Sequence, residues 1–160
     1  MKSCYNFIVR FHTIKGNRCM GTKSKRYNNL MTEMECAYHD AAQRMGISDS
    51  EMVVLYMVCI NGDACLLSDI TELSGVSKQT INSALRKLEK QAVIYLELVD
   101  ARKKRVCLTE HGKFMVEQKI RKLIRIEDEI FDSWKKEEWE TYMRLTQRHL
   151  ANLKERFKEL

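Results

Sequence analysis

The side chains best suited to chemistry in this sequence lie on one face of a segment that follows Ser77. They are amides, hydroxyls and cations at helical spacing: Lys78, Gln79, Asn82, Ser83 and Arg86, with Ser77 and Thr80 at the start of the segment. Such groups can hydrogen-bond to base edges and phosphates, and a major groove admits one α-helix. The segment therefore predicts a helix that contacts DNA. The alternative is an ordinary solvated helix face.

Two short helices joined by a tight turn would position that face. The first is predicted over about Leu67 to Ser74, and Gly75 accepts a positive φ in the turn without steric cost. Ser77 should cap the second helix, Lys78 to Gln91, with its side-chain oxygen. The inward face of the second helix would carry apolar residues at helical spacing, namely Ile81, Leu85 and Leu88. The small Ala84 would let the first helix cross the second closely.

A β-hairpin, or wing, should follow the second helix. Residues 94–99 and 105–108 are β-prone runs, and the loop between them is exposed and cationic. The candidate contacts there are Asp100, Arg102, Lys103, Lys104 and Arg105. Arg102 can gain from the negative potential of a narrow minor groove, and Asp100 could fix its guanidinium by a bidentate pair. Charged hairpin tips are common, so a merely solvated tip is an equal alternative for the wing alone.

In this order and spacing, these features resemble the winged helix-turn-helix of the MarR family of bacterial transcription regulators. The resemblance rests on Ile70, Gly75-Val76-Ser77, Thr80-Ile81, Leu88-Glu89, Asp100-x-Arg102 and Leu108-Thr109-x-x-Gly112. It is strongest over residues 47–112, extends from Asn28 to the C-terminus, and does not cover residues 1–27. The sequence departs from the family pattern at two places, where Thr71 replaces Ala and Gln91-Ala92-Val93 replaces a stretch with Gly.

The resemblance implies a sequence-specific DNA-binding regulator, a repressor, that acts as a homodimer on a near-palindromic operator. Half-sites would lie about one turn, roughly 34 Å, apart. An effector would bind one arrangement of the dimer better than the other. A winged-helix module that binds proteins is the competing class. An enzyme is the least supported class, because no catalytic triad, phosphate loop or paired carboxylates stand out.

Amphipathic helices flank the predicted winged helix. One is expected over about Tyr27 to Met45, closed by Gly46, and a Ser48-x-x-Glu51 capping box precedes a buried helix to Ile60. Thr109 should cap a long helix to about Trp134, and a last helix starts near Lys136. The surplus apolar surface of the C-terminal helices favours a second copy as partner.

The expected fold is therefore mainly α with a small β-hairpin wing: a winged helix-turn-helix with helical dimerisation arms. The predicted divisions are residues 1–46 (N-terminal segment and first dimerisation helix), 47–109 (DNA-binding domain) and 110–160 (C-terminal dimerisation helices). Residues 1–27 fit a short helix or a strand almost equally well. The basic stretch from Gly16 to Arg26 is expected to be a solvated linker, with DNA backbone contact as the alternative.

Composition agrees with this class of protein. The 160 residues carry a net charge of +6, which modestly favours a polyanionic partner. No apolar run is long enough to span a membrane, and Arg10 and His12 interrupt the stretch that could otherwise act as a secretion signal. We therefore expect a cytoplasmic protein that makes no membrane contact.

The six cysteines include no Cys-x-x-Cys pair, so a disulfide framework is not expected. Cys36, Cys59 and Cys107 are interpreted as small core hydrophobes. The resemblance also covers thiol-sensing regulators, in which a reactive Cys lies near the N-terminus. Cys4 and Cys19 are therefore the redox candidates, and the basic surroundings of Cys19 could lower its pKa. No His lies at metal-ligand spacing, so neither a metal nor a cofactor is expected.

The resemblance further implies a pocket for a small aromatic effector between the dimer helices and the DNA-binding module. The residues that could line it are apolar or phenolic, and Met adapts to varied shapes. They are Met34, Tyr38, Met52, Leu55, Tyr56 and Cys59. Simple core packing is the alternative for each of them.

Overall fold

The computed structural model of the chain describes residues 22–101 and 103–160. Its elements are α1 (Thr22–Met45), α2 (Asp49–Ile60), β1 (Ala64–Leu66), α3 (Leu67–Leu73), α4 (Lys78–Lys90), β2 (Ile94–Leu98), β3 (Lys104–Leu108), α5 (Glu110–Gln118), α6 (Ile120–Asp132) and α7 (Lys136–Arg156), with a closing 3-10 turn, Phe157–Glu159. The predicted fold class, mainly helical with a small wing, is confirmed.

The first described helix is longer than the sequence pattern predicted. It begins at Thr22, so Lys23, Lys25 and Arg26 are helical rather than part of a linker. No Gly or Pro lies between Thr22 and Met45, and Lys and Arg are good helix formers, so polar residues extend the helix beyond its apolar stripe. The predicted end at Gly46 is confirmed, with φ of 68°.

The capping box before α2 is confirmed. The Ser48 side chain accepts from the Glu51 backbone N–H, and Glu51 Oε2 accepts from the Ser48 backbone N–H at 2.9 Å. Most of α2 is buried, including Val54, Leu55 and Val58, each with no exposed surface. The helix is therefore the central core element of the winged-helix region, as its apolar composition predicted.

The helix-turn-helix also agrees with the prediction to within one residue at each end. Gly75 has a φ of 65°, which supports the turn between α3 and α4. The inward residues of α4 are buried, as are the parts of α3, the turn and the sheet that face the same core: Ile70, Val76, Ile81, Ala84, Leu85, Leu88, Ile94, Val106 and Leu108.

A third strand, β1, was missed in the sequence. The antiparallel sheet has the order β1-β3-β2. Strand β3 of the wing hairpin therefore pairs with β2 on one side and with β1 on the other. In this register Cys65 lies opposite Val106, and both are buried. A strand of three residues is too short to show alternation, so periodicity could not reveal it.

The predicted long helix from Thr109 to about Trp134 is wrong, because it breaks at Lys119 into α5 and α6. Lys119 has φ of −122° and ψ of −72°. Its ammonium donates to the carbonyl of Met45 at 2.6 Å. Arg121 donates to Asp63 at 2.7 Å and pairs with Glu117 at 3.1 Å. The contacts to Met45 and Asp63, which lie in distant segments, accompany a break that no Gly or Pro in the sequence marks.

The chain divides into two compact units between Lys122 and Leu123. In the C-terminal unit, Phe131, Trp134, Trp139 and Tyr142 form a chain of edge-to-face ring contacts, with centroids 4.8–5.4 Å apart. Helix α7 buries no residue completely within the chain. The C-terminal unit therefore holds its helices together by aromatic contacts and leaves much of its apolar surface uncovered.

Ala92, within the Gln91-Ala92-Val93 stretch that departs from the pattern of the resembled family, has a left-handed backbone with φ of 53°. An L-residue there is strained by its Cβ, whereas Gly is not. Ala92→Gly is therefore expected to raise the free energy of unfolding by about 0.5–1 kcal/mol, measured by urea denaturation. Ala37→Gly, at an exposed position inside α1, is the matched control and should lower it by about 0.5–1 kcal/mol. Equal losses in both variants would contradict the strain at Ala92.

Candidate nucleic-acid interface

The polar face of α4 is presented to solvent. Its larger side chains are exposed, namely Lys78, Gln79, Ser83 and Arg86, while Thr80 and Asn82 are half-buried. Ser77 caps the helix by accepting from the Thr80 backbone N–H at 3.2 Å, and the two hydroxyls lie 2.8 Å apart. Ser77 and Thr80 thus have a structural role at the helix start. The accessible part of the face is formed by Lys78, Gln79, Ser83 and Arg86.

An ion pair between an accessible lysine and a buried carboxylate, which the sequence did not reveal, joins the last turn of α4 to α2. Glu51 is 1% exposed, and Lys87 Nζ lies 2.7 Å from its Oε2. The same oxygen accepts from Ser48 Oγ at 2.6 Å. Burial alone would raise the pKa of the Glu51 carboxyl, but the hydrogen bonds from Lys87 and Ser48 outweigh it and hold that pKa below its ordinary value. The position of α4 is therefore held by a charged contact as well as by apolar packing.

The wing tip is a tight turn stabilised by Asp100. Its carboxylate accepts from the Lys103 backbone N–H at 2.9 Å, a local bond typical of Asp in turns. Val99 N–H donates to the Lys103 carbonyl at 2.9 Å and extends the hairpin by one pair. Lys103 and Lys104 are exposed. Arg102 lies outside the described residues, so its predicted pairing with Asp100 stays a prediction.

Arg105, a predicted DNA contact, is bound to Glu97 across the hairpin. Its Nε and Nη2 both donate to Glu97 Oε2, at 2.9 and 2.5 Å. The bond from Arg105 lowers the pKa of the Glu97 carboxyl, and the same bond raises the pKa of Arg105. Both groups are therefore charged at neutral pH. The register of β2 against β3 places Glu97 opposite Arg105. The pair could therefore have been predicted from the hairpin register.

The six candidate effector-pocket residues fall in different environments. Met34 and Tyr38 are each more than two-fifths exposed on α1. Met52, Leu55 and Cys59 are buried in the core of the winged-helix region, and Tyr56 is half-buried. Burial raises the pKa of the Cys59 thiol to about 11, so it is protonated and unreactive at neutral pH. A pocket formed by these six residues stays a prediction.

The other described cysteines also differ in burial. Cys107 and Cys59 are buried, as predicted, and so is Cys65. Cys36 is exposed on α1, so its interpretation as a core hydrophobe is wrong. The redox candidates Cys4 and Cys19 lie outside the described residues.

The described part of the chain holds neither a metal-binding cluster nor a membrane-spanning helix. Residues 22–101 and 103–160 contain no group of three or more His, Cys, Asp or Glu side chains that could hold a metal ion. None of the helices in these same ranges is long and apolar enough to cross a membrane.

A capped helix with a solvated polar face, beside a hairpin with an exposed cationic tip, defines a winged-helix protein with the fold of DNA-binding regulators. Residues 45–105 match the model of the MarR family. The match falls on the region in which the order of the motifs resembles that family. Comparison with curated proteins by sequence gives no match.

Solved structures show the same fold. The Staphylococcus aureus MepR–DNA complex has a TM-score of 0.64 at 23% identity and covers 84% of this chain and 99% of that one. NMB1585, a MarR family regulator from Neisseria meningitidis, has a TM-score of 0.69 at 19% identity, with coverage of 85% and 96%. Bordetella bronchiseptica BpsR, whose DNA binding is regulated by 6-hydroxynicotinic acid, has a TM-score of 0.57 at 19% identity, with coverage of 78% and 98%.

Proposed function

We propose that this protein is a sequence-specific repressor that binds a near-palindromic operator as a homodimer and is released by a small aromatic effector. The observation that carries the proposal is the exposed polar face of α4. Lys78, Gln79, Ser83 and Arg86 project from one side of a helix whose opposite side is fully buried. This combination leaves the helix rigid and its donors and acceptors available to base edges.

The wing supplies the second contact. Lys103 and Lys104 are exposed beside the turn that Asp100 stabilises. Together with Arg102, they would meet the phosphates or the minor groove next to the groove that α4 enters. MepR, a protein of the same fold, has been solved as a DNA complex, which supports a duplex as the partner.

Uncovered apolar surface supports the homodimer. Tyr27, Leu30, Met34 and Tyr38 form a stripe along α1, and each is more than two-fifths exposed. The C-terminal unit exposes a comparable set: Ile126, Ile130, Phe131, Trp139, Tyr142, Leu145, Leu150 and Phe157. Apolar stripes of this extent mark interaction surfaces, and most oligomers join identical chains. A dimer would present two α4 helices to half-sites about one turn, roughly 34 Å, apart.

A small aromatic molecule is the proposed effector. This chemical class is suggested by BpsR, a protein of the same fold whose DNA binding is regulated by 6-hydroxynicotinic acid. Met34 and Tyr38 on α1, and Tyr56 on α2, are the candidate residues with surface that a ligand could reach. The effector would act by preferring a dimer whose α4 helices do not match the operator spacing. A protein that represses transcription would act in the cytoplasm, where bacterial DNA lies.

Selection of bound fragments from a random duplex pool tests the proposal. The full chain should be dimeric by solution mass and should enrich a near-palindrome with half-sites about one turn apart. Repeating the selection with 6-hydroxynicotinic acid tests the effector class. A persistent monomer, or no enrichment of any sequence, would overturn the proposal.

Replacing a base-contacting amide should change sequence preference rather than overall affinity. Asn82→Ala or Gln79→Ala is expected to lose about 1–3 kcal/mol on the selected operator while binding to a random duplex changes little. Gln91→Ala, an exposed amide at the end of the same helix, is the matched control and should change neither. Equal losses on all duplexes would show that Asn82 and Gln79 contact only the backbone.

A further inference from the structure

The Glu97–Arg105 pair lies on the solvent-facing side of the wing, directly across the β2–β3 ladder. Two guanidinium N–H groups of Arg105 donate to a single carboxylate oxygen, Glu97 Oε2. A third donor, the thiol of the buried Cys107, lies 3.6 Å from the same oxygen. The carboxylate is thus held by two side chains of β3, and the Arg105 guanidinium is held by the carboxylate.

This pairing occupies the part of Arg105 that would bind DNA. Arginine recognises a phosphate with two parallel N–H groups, the same geometry that it uses for a carboxylate. In the structure, Nε and Nη2 are both committed to Glu97. Both side chains are nevertheless 44% exposed, so the pair is accessible to a competing anion. The N–H groups with which Arg105 could bind a phosphate are therefore occupied by Glu97 of the same chain.

We propose that Glu97 limits the affinity of this protein for DNA by withholding Arg105 from the phosphate backbone. The inference rests on the DNA-binding function proposed above. The carboxylate cancels one positive charge of the wing, which leaves the cations nearer the tip, Lys103 and Lys104, to make the backbone contacts. Because phosphate contacts are independent of sequence, the limit applies to every duplex, and weaker general binding leaves more dimer free to find its operator.

The opposite role for Glu97 makes a different prediction. If Glu97 orients Arg105 onto a phosphate, as carboxylates often orient guanidinium groups, its removal would weaken binding. If Glu97 withholds Arg105, its removal would strengthen binding. The sign of one measurement therefore separates the two roles, and a random-sequence duplex is a sufficient probe because no base contact is involved.

The test measures binding of the full chain to a random-sequence duplex over a range of salt concentrations. Glu97→Gln should bind about fivefold more tightly at about 0.15 M salt, and its log K against log salt should be steeper by about 0.9, the value for one added phosphate contact. The double variant Glu97→Gln with Arg105→Gln should return to within about twofold of wild type, because the gain depends on Arg105.

Glu110→Gln is the matched control for the change in net charge. Glu110 is exposed in α5 and pairs with Lys113 at 2.6 Å, so the same charge is removed away from the wing tip. It should leave the affinity within about twofold of wild type. Unchanged or weaker binding by Glu97→Gln, or an equal gain with Glu110→Gln, overturns the inference while leaving the proposed function intact. Absence of salt-dependent binding by the wild type overturns both.

Discussion

Lys87→Ala is expected to lower the free energy of unfolding by about 3 kcal/mol at neutral pH, because it leaves a buried carboxylate without its cation. Glu51 is 1% exposed, and after the change only Ser48 would donate to it. The Lys87 side chain is itself 55% exposed, so little packing is lost with it. Urea denaturation at pH 7 measures the effect, which comes almost wholly from the uncompensated charge.

Two further variants isolate that charge. Lys90→Ala removes another Lys from the last turn of the same helix and should change the free energy of unfolding by less than about 0.5 kcal/mol. In a Glu51→Gln background, Lys87→Ala should cost less than about 1 kcal/mol, because no buried charge remains to be neutralised. Similar losses for Lys87→Ala and Lys90→Ala would show that the pair contributes nothing beyond an ordinary surface contact.

The loss in Lys87→Ala should also depend on pH. In the wild type, the lowered pKa of Glu51 means that its carboxylate stabilises the fold above about pH 4.5, and that this stabilisation is lost as pH falls through the folded pKa. In the variant, the hydrogen bond and charge of Lys87 no longer lower the pKa of Glu51, so that pKa is higher than in the wild type. Protonation of Glu51 relieves the buried charge, so the difference in stability between the two proteins should shrink as pH falls through the folded pKa of Glu51 in the variant.

Local signals predicted the elements of the DNA-binding region closely. A capping box and an apolar run identified α2, and helical spacing identified α4. The side chains of Ser48, Ser77 and Thr109 cap the helices that they were expected to cap. These features depend on residues within one or two turns of each other, so they can be predicted from a single sequence. The order of the motifs then indicated a resemblance to the MarR family, whose model matches residues 45–105.

Features that depend on distant residues were not predicted. The Glu51–Lys87 pair joins residues 36 positions apart, and neither side chain is unusual in its own helix. The contacts that accompany the break at Lys119 likewise reach distant segments, to the carbonyl of Met45 and to Asp63. The Glu97–Arg105 pair is an intermediate case, because pairing the two strands of the hairpin already places these residues opposite each other.

The structure, but not the sequence, explains why the Leu108-Thr109-x-x-Gly112 motif ends in Gly. A Cβ on Gly112 would lie 1.9 Å from the Val93 carbonyl oxygen. That oxygen accepts from the Thr109 backbone N–H at 3.1 Å, and the Thr109 hydroxyl donates to the Ala92 carbonyl at 2.6 Å. The first turn of α5 therefore packs directly on the backbone that links α4 to the wing, and there is no room there for a side chain.

Gly112→Ala is consequently expected to lower the free energy of unfolding by about 3 kcal/mol, because one of two backbone segments must move. Helix propensity alone predicts the opposite, a gain of about 1 kcal/mol for Ala over Gly, so the sign of the change is decisive. His111→Ala, at the exposed neighbouring position, should change stability by less than about 0.5 kcal/mol. A gain in stability for Gly112→Ala by urea denaturation would show that α5 can move away from Val93 without cost. A loss confined to Gly112→Ala would show that this close approach fixes the start of α5 against the wing.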